Sequence, residues 1–244
     1  MDLFPAIDIR HGRVVRLSQG EATRQTVYGD DPVAVAERFA EQGAEWVHVV
    51  DLDRAFGDGD NLALVRRIVA RTGWRVRVQL GGGLRSLERV RAGLEQGVSR
   101  VVLGTAAALD PAIVPAVLAA EGVDRIAIGI DARDGRVAIR GWTETSSLTA
   151  DALARRVASD GARTIIYTDV ARDGMLEGPD LEGARRLQHT GAAVIASGGV
   201  GEVADIRAAR EAGLAGMIVG RALYEGRVGL AEALEAAAGA PPLR

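Results

Sequence analysis

Short apolar runs rich in Val, Ile and Leu recur along the chain, separated by stretches whose apolar residues repeat with a helical period. The runs at 3–8, 46–51, 76–80, 100–103, 125–130, 164–169, 193–196 and 216–219 have too few polar positions for a sheet with one wet face. They predict eight buried parallel strands. Asp31-Pro32 and Asp110-Pro111 read as helix starts, a carboxylate cap followed by a proline whose missing N–H is not needed there. Gly43, Gly97, Gly161, Gly191 and Gly213 stand where helices should stop. Alternation of this kind with no composition break predicts an α/β chain closed into one barrel, with long loops after the first, fifth and sixth strands.

The pattern also repeats. Val78 to Ala106 matches Val194 to Ala222 in constant register, so that Gly82, Gly83, Ala92, Gly97 and Gly104 fall on Gly198, Gly199, Ala208, Gly213 and Gly220. Ile7 to Val14 matches Ile130 to Val137, and Asp51 aligns with Asp169. The expected architecture is therefore a single (βα)8 TIM barrel spanning 1–244, with an internal two-fold repeat of half-barrels at about 1–122 and 123–244.

Composition narrows the chemistry. The 244 residues contain no cysteine, which excludes disulfides, thiolate metal sites and cysteine nucleophiles. All 30 basic residues are arginine, so Schiff-base lysines and the P-loop lysine are excluded too. A net charge of −3 gives no broad footprint for nucleic acid, and any phosphate must be met locally. No stretch approaches the roughly 20 apolar residues that span a bilayer, and the N-terminus has no leader pattern. The expectation is a cytoplasmic protein with neither nucleic acid nor membrane as partner.

In such barrels the active site lies at the C-terminal ends of the strands, where Asp8, Asp51, Asp131 and Asp169 all fall. Carboxylates at these places either cap loops and bind arginines or work at the mouth. Gly81-Gly82-Gly83 with Gly104-Thr105, and Ser197-Gly198-Gly199 with Gly220-Arg221, are glycine turns before helix N-termini. Such turns let backbone N–H groups approach an anion. Two cradles facing each other imply a ligand with a phosphate at each end, worked on in its middle by a general acid and a general base without metal or covalent nucleophile. On this reading valine at Gly83 or Gly199 chiefly raises KM.

Nearly the whole chain takes part in one further likeness. Pro5 to Gly12, Val15 to Gly20, Thr26 to Tyr28, Trp46 to Asp53, Gly81 to Arg85, Gly141-Trp142, Thr168 to Met175 and Ile195 to Gly199 resemble, in order, the phosphoribosylformimino-aminoimidazole-carboxamide ribotide isomerases of histidine biosynthesis. The resemblance implies an Amadori rearrangement of an aminoaldose ribotide to the aminoketose, requiring no cofactor. By match to the family pattern Asp8 is the general base and Asp173 the general acid, with Asp131 and Thr168 orienting substrate or tuning those carboxylates. Spacing alone reads Asp173 as a turn residue before Gly174.

Trp142 falls where relatives place an indole over the substrate's imidazole; packing within its loop is the alternative. His48, inside a strand, fits a hydrogen-bonded core histidine or a ligand contact, and Arg16 fits a substrate contact or a solvated side chain. Gly20 and Gly178 complete family-like loops. The related cyclase carries a lysine after its first strand, absent here, and lacks the Gly141-Trp142 step. A bifunctional isomerase that also takes phosphoribosyl anthranilate tends to read Ser-Gly-Gly where this chain has Gly81, and a silent phosphosugar-binding protein would have lost Asp8 or Asp173. A barrel of this kind can be complete as a monomer, and a monomer is the expectation here.

Overall fold

The apolar runs form strands because their Val and Ile side chains are covered on one side by helices and on the other by the barrel's own interior. In this computed structural model, which describes residues 1–18 and 21–239, twelve strands appear among the described residues. They are β1 (Asp2–Arg10), β2 (Arg13–Ser18), β3 (Glu21–Gly29), β4 (Trp46–Asp51), β5 (Arg77–Gly81), β6 (Arg100–Leu103), β7 (Ile126–Arg133), β8 (Arg136–Ile139), β9 (Glu144–Thr149), β10 (Thr164–Asp169), β11 (Ala193–Ser197) and β12 (Gly216–Val219).

Eight of these, β1, β4, β5, β6, β7, β10, β11 and β12, pair in parallel, and β12 pairing with β1 closes the ring. This is the (βα)8 barrel. Its interior is filled by a small cluster, Phe4, Ala6, Trp46, Ala127, Ile166, Ile195 and Ile218, while the larger core lies between strands and helices. No helix among the described residues is long and apolar enough to cross a membrane.

Two of the expected long loops are hairpins. Strand β2 turns back antiparallel on β1, and β8 does the same on β7. Each turn has two consecutive left-handed residues, His11 and Gly12 at φ 49° and 73°, Asp134 and Gly135 at φ 50° and 73°. That geometry is the tight two-residue turn whose twist suits antiparallel strands, and Asp134-Gly135 is its usual sequence signal. The hairpins matter for function because they lift Arg16 and the loop carrying Trp142 over the barrel mouth.

Helix boundaries follow the punctuation with one exception. Asp31 caps the helix Pro32–Glu41 by accepting from the Val33 and Ala34 N–H groups. Gly43, Gly97, Gly161, Gly191 and Gly213 have φ between 74° and 100° just past helix ends. Asp110 instead ends the helix Thr105–Leu109 and accepts from the Ala112 N–H, so that the next helix, Ile113–Glu121, starts later than Asp110-Pro111 predicts. An aspartate that bonds two residues ahead makes a turn as readily as a cap.

Candidate active site

Side chains of a strand alternate between barrel interior and helix layer, so parity decides which strand-end residues reach the mouth. Along β1, Phe4 and Ala6 fill the interior and Asp8 continues the same face upward. Along β7, Ala127, Gly129 and Asp131 do likewise, and along β10 the inward residues are Ile166 and Thr168. A cavity opens above this interior layer, and Asp8, Asp131, Thr168 and Asp173 line it together.

Asp51 and Asp169 have the other parity and do not line the cavity. Asp51 is fully buried and accepts from the Arg54 N–H, the Asn61 N–H and Asn61 Nδ2, tying its loop. Asp169 accepts from the Ala171 N–H and pairs with Arg172 at 3.4 Å. For these two the loop-capping reading is the correct one.

The electrostatics separate the carboxylates. Asp8 Oδ2 accepts from Arg16 Nη1 at 2.6 Å, an ion pair brought about by the pairing of β2 on β1. Burial disfavours the Arg16 cation, but Asp8, Tyr224 and Asp173 around it outweigh burial and raise its pKa. Asp173 is pushed up to about 6, first by burial, then by the nearby negative charges of Asp8 and Asp131, with Arg16 working in the other direction. Asp131 is also raised by burial, against the hydrogen bonds it accepts from Trp142 and Thr168. Trp142 Nε1 donates to Asp131 Oδ2 at 2.8 Å, and its backbone closes a run of left-handed residues with Arg140 and Gly141, at φ 69°, 55° and 67° respectively. Non-glycine residues held in that region mark a loop whose shape the surrounding structure imposes.

The glycine turns serve two purposes. A Cβ on Gly82 would overlap the Asp51 carbonyl, and one on Gly83 the Arg54 carbonyl and side chain. On Gly199 it would overlap the Gly178 carbonyl. At these positions the missing side chain makes room for the chain's own loops, so the expected KM effect of valine at Gly83 or Gly199 gives way to an effect on folding. Gly104 differs, because a Cβ there meets nothing within 4 Å, and the residue lines the cavity.

Gly220 belongs to a third case: a Cβ there would fall on the guanidinium of Arg16. Arg16 needs that space to reach Asp8. Gly220→Ala is therefore expected to displace Arg16 and to lower kcat of any reaction that uses Asp8 at least about tenfold, as loss of one charge-assisted hydrogen bond to a carboxylate should. The φ is negative, so no left-handed strain is added, and the overlapped atoms are the end of a long side chain that can move. Steady-state kinetics beside a melting curve tests this, and unchanged kcat would show that the Arg16–Asp8 pair is dispensable.

Residues 2–229 match the family model described as histidine biosynthesis protein. The chain belongs to this family. It is similar to proteins named 1-(5-phosphoribosyl)-5-((5-phosphoribosylamino)methylideneamino)imidazole-4-carboxamide isomerase. One, from Symbiobacterium thermophilum, is 52% identical over 239 residues, covering 96% of each chain. Others come from Methylocella silvestris, 51% identical over 242 residues, and Geobacillus thermodenitrificans, 52% identical over 238, again covering 96% of each chain.

In this histidine-biosynthesis barrel most of the residues singled out from sequence converge. Arg16, His48, Gly82, Gly83, Gly104, Thr105, Trp142, Ser197, Gly198, Gly199, Gly220 and Arg221 all line the cavity that holds the carboxylates. Thr105 Oγ1 accepts from the Arg140 N–H, anchoring the loop of Trp142, and Arg221 Nη1 donates to the Gly174 carbonyl beside Asp173 at 2.6 Å. Gly178 does not line the cavity. Its N–H donates to the Gly199 carbonyl and its carbonyl accepts from Arg172, so it shapes the loop behind the turn. Gly20 lies outside the described residues.

Sequence reasoning missed Tyr224, whose hydroxyl donates to the Ala6 carbonyl while its ring lies 5.9 Å from the Arg16 guanidinium carbon. It also missed Gln79 and Arg100, polar residues inside the barrel. Their signal was present in the chain: Gln79 interrupts the apolar run Val78 to Leu80 at a position where only the interior can receive it.

Proposed function

We propose that this protein isomerises a bisphosphorylated ribotide, converting the phosphoribosylformimino-aminoimidazole-carboxamide aminoaldose into its aminoketose by an Amadori rearrangement. The observation that carries the reading is the grouping of Asp8, Asp131 and Asp173 between two opposed glycine turns in one cavity, in a chain that shares half its residues with isomerases so named. The turns at Gly82-Gly83 with Gly104, and at Gly198-Gly199 with Gly220, would each meet one phosphate through backbone N–H groups at the helix starts that follow. The two phosphates then hold the ribose between the carboxylates.

Asp173, with its pKa raised to about 6, still holds its proton in about a tenth of molecules at pH 7, far more than an ordinary carboxylate would, and gives that proton to the furanose ring oxygen. The C1–O bond breaks and a protonated imine forms at C1. Asp8, whose ion pair with Arg16 is that of a carboxylate, removes the C2 proton, and the electron pair runs to the imine nitrogen to give an enolamine. Proton transfer from the C2 hydroxyl to C1 completes the ketose. Asp131 and Thr168 orient the substrate or tune the two working carboxylates, and Trp142 closes the wall where the planar imidazole would lie. We read the chain as one cytoplasmic domain acting as a monomer; the few large apolar side chains exposed among the described residues, Val27, Trp74 and Leu109, agree with the monomer.

Turnover of the formimino ribotide by the purified protein, with phosphoribosyl anthranilate as a second substrate, tests the proposal directly. Activity on the first is expected. No turnover by folded protein that still binds the ribotide would favour the silent binder instead, and activity on both the bifunctional reading. The pH profile carries a further expectation. Since the acid must hold its proton, kcat/KM should fall on the alkaline side with an apparent pKa of about 6. Bound phosphates add negative charge near Asp173, so the corresponding limb in kcat should lie at higher pH. Limbs in the reverse order would contradict the assignment of Asp173.

A further inference from the structure

A row of polar side chains crosses the barrel interior beneath the carboxylates. In the parallel register His48 pairs with Gln79 and Gln79 with Arg100, so three neighbouring strands, β4, β5 and β6, place them side by side. Arg100 is buried, its guanidinium carbon 4.6 Å from the Trp46 ring centroid and 5.6 Å from that of Phe4. Arg100 Nε donates to Gln79 Oε1 at 2.7 Å, and Gln79 Nε2 lies 2.8 Å from His48 Nδ1. His48 lines the floor of the cavity.

The chemistry of the three groups allows only one arrangement. A guanidinium has donors and no acceptor, so the oxygen of Gln79 must face Arg100 and its NH2 must face His48. An NH2 group beside Nδ1 requires a lone pair there. The ring proton is then on Nε2, the nitrogen left free for the cavity. The surroundings favour the same neutral ring: burial, then Arg16 and Arg100, lower the His48 pKa to about 3, whereas Arg100 itself, lowered to about 10, remains a cation at neutral pH.

We infer that Arg100 and Gln79 are positioning residues that lock His48 as a neutral donor, its Nε2–H offered from the cavity floor to an oxygen of the sugar lying between the two phosphates. This deepens the proposed isomerase reading and rests on it for the identity of the acceptor; the lock itself follows from the side-chain geometry alone. A neutral donor suits the site. The C2 oxygen begins as a hydroxyl and ends as a carbonyl, so a donor there strengthens its bond as the carbonyl forms, and an imidazolium would instead add a second cation close to Arg16. Because the oxygen of Gln79 is held by Arg100, the amide cannot turn over to let the proton move to Nδ1.

Nitrogen-15 NMR of the ring nitrogens reads the tautomer directly, and with only three histidines in the chain a His48→Gln variant assigns the signals. The wild type should show a protonated Nε2 and an unprotonated Nδ1 throughout about pH 6 to 8, and adding the ribotide should shift Nε2 while leaving Nδ1 in place. A proton on Nδ1, or an Nε2 signal indifferent to bound ribotide, would overturn the inference. Gln79→Glu keeps the partner of Arg100 but offers an acceptor to Nδ1. At about pH 8 it should draw the proton onto Nδ1 and lower kcat/KM at least about tenfold. A proton that moves with kcat/KM unchanged would equally refute it. If the wild type fails to turn over the ribotide, the isomerase reading fails by itself, and the tautomer in the free protein still decides the lock.

Discussion

Asparagine in place of Asp173 is expected to lower kcat by at least about 10², with substrate affinity changed only a few-fold. The amide keeps the shape and the polarity of the carboxyl but has no proton to give to the ring oxygen, so the ring-opening step loses its acid. Asp8→Asn should produce a loss of the same order by removing the base, again with little change in binding. The two variants part company in stability. Asp173 has its pKa raised from 3.8 to about 6 on folding, so the folded state holds the proton more tightly than the unfolded chain does.

Stability from such a group is fully present below the unfolded value and is lost as pH rises through about 6. Above that pH the buried charge destabilises the fold, by on the order of 1–2 kcal/mol given the partial exposure of the side chain. Asp173→Asn should therefore raise Tm at pH 7.5 and leave it nearly unchanged at pH 4. Asp8→Asn should lower Tm at pH 7.5, because Arg16 loses its ion pair while staying largely buried. Kinetics and melting curves at the two pH values measure all of this. Wild-type turnover in either variant would remove that residue from the mechanism, and a fall in Tm for Asp173→Asn would contradict the role of burial.

Alanine at Gly83 or Gly199 should damage the fold more than the binding of substrate. Both glycines have left-handed backbone, φ 64° and 84°, which strains any L side chain by about 1–2 kcal/mol. The added Cβ also overlaps backbone carbonyls of Arg54 or Gly178 that belong to anchored loops, and overlap of this sort typically adds about 1–3 kcal/mol. A combined loss of about 3 kcal/mol corresponds to a Tm lowered by roughly 6–12 °C for a chain of this size. Gly104→Ala is the contrasting case. Its φ is negative, its Cβ meets nothing within 4 Å, and it lines the cavity, so Tm should fall less than for Gly83→Ala while KM rises several-fold. Equal Tm for Gly83→Ala and Gly104→Ala would show that the loops behind the first cradle can yield.

Much of the site is legible in the amino-acid sequence because its parts are local. The carboxylate closing the first apolar run, Asp8, the Arg172-Asp173-Gly174 turn and the glycine pairs are each set by a few consecutive residues. Their common place at the C-terminal ends of strands follows from barrel architecture. Asp51 and Asp169 show the limit of that reasoning. Each stands at the end of an apolar run as Asp8 and Asp131 do, but one step of alternation turns them toward the helices, and a register of one residue is finer than strand ends can be drawn from apolar runs alone. Gly178 shows a second limit, since a glycine in a family-like loop is also a glycine that another loop packs against.

By itself the sequence determined the eight strand-helix units, the helix stops, the glycine turns and the residue types able to do acid-base work. All of these depend on neighbours in the chain, where propensity and alternation act directly. Only the tertiary structure decided which groups meet. The hairpin after the first strand brings Arg16 onto Asp8, and Gly220, some 200 residues away in sequence, leaves the space for its guanidinium. Closure of the barrel sets His48, Gln79 and Arg100 in one row. The raised pKa of Asp173 comes from burial and, against Arg16 on β2, from the charges of Asp8 on β1 and Asp131 on β7, none of them near it in sequence. The physical reason is the same throughout: local conformation is set by short-range sterics and hydrogen bonding, whereas contact, burial and electrostatic potential are set by distances that exist only once the strands have closed.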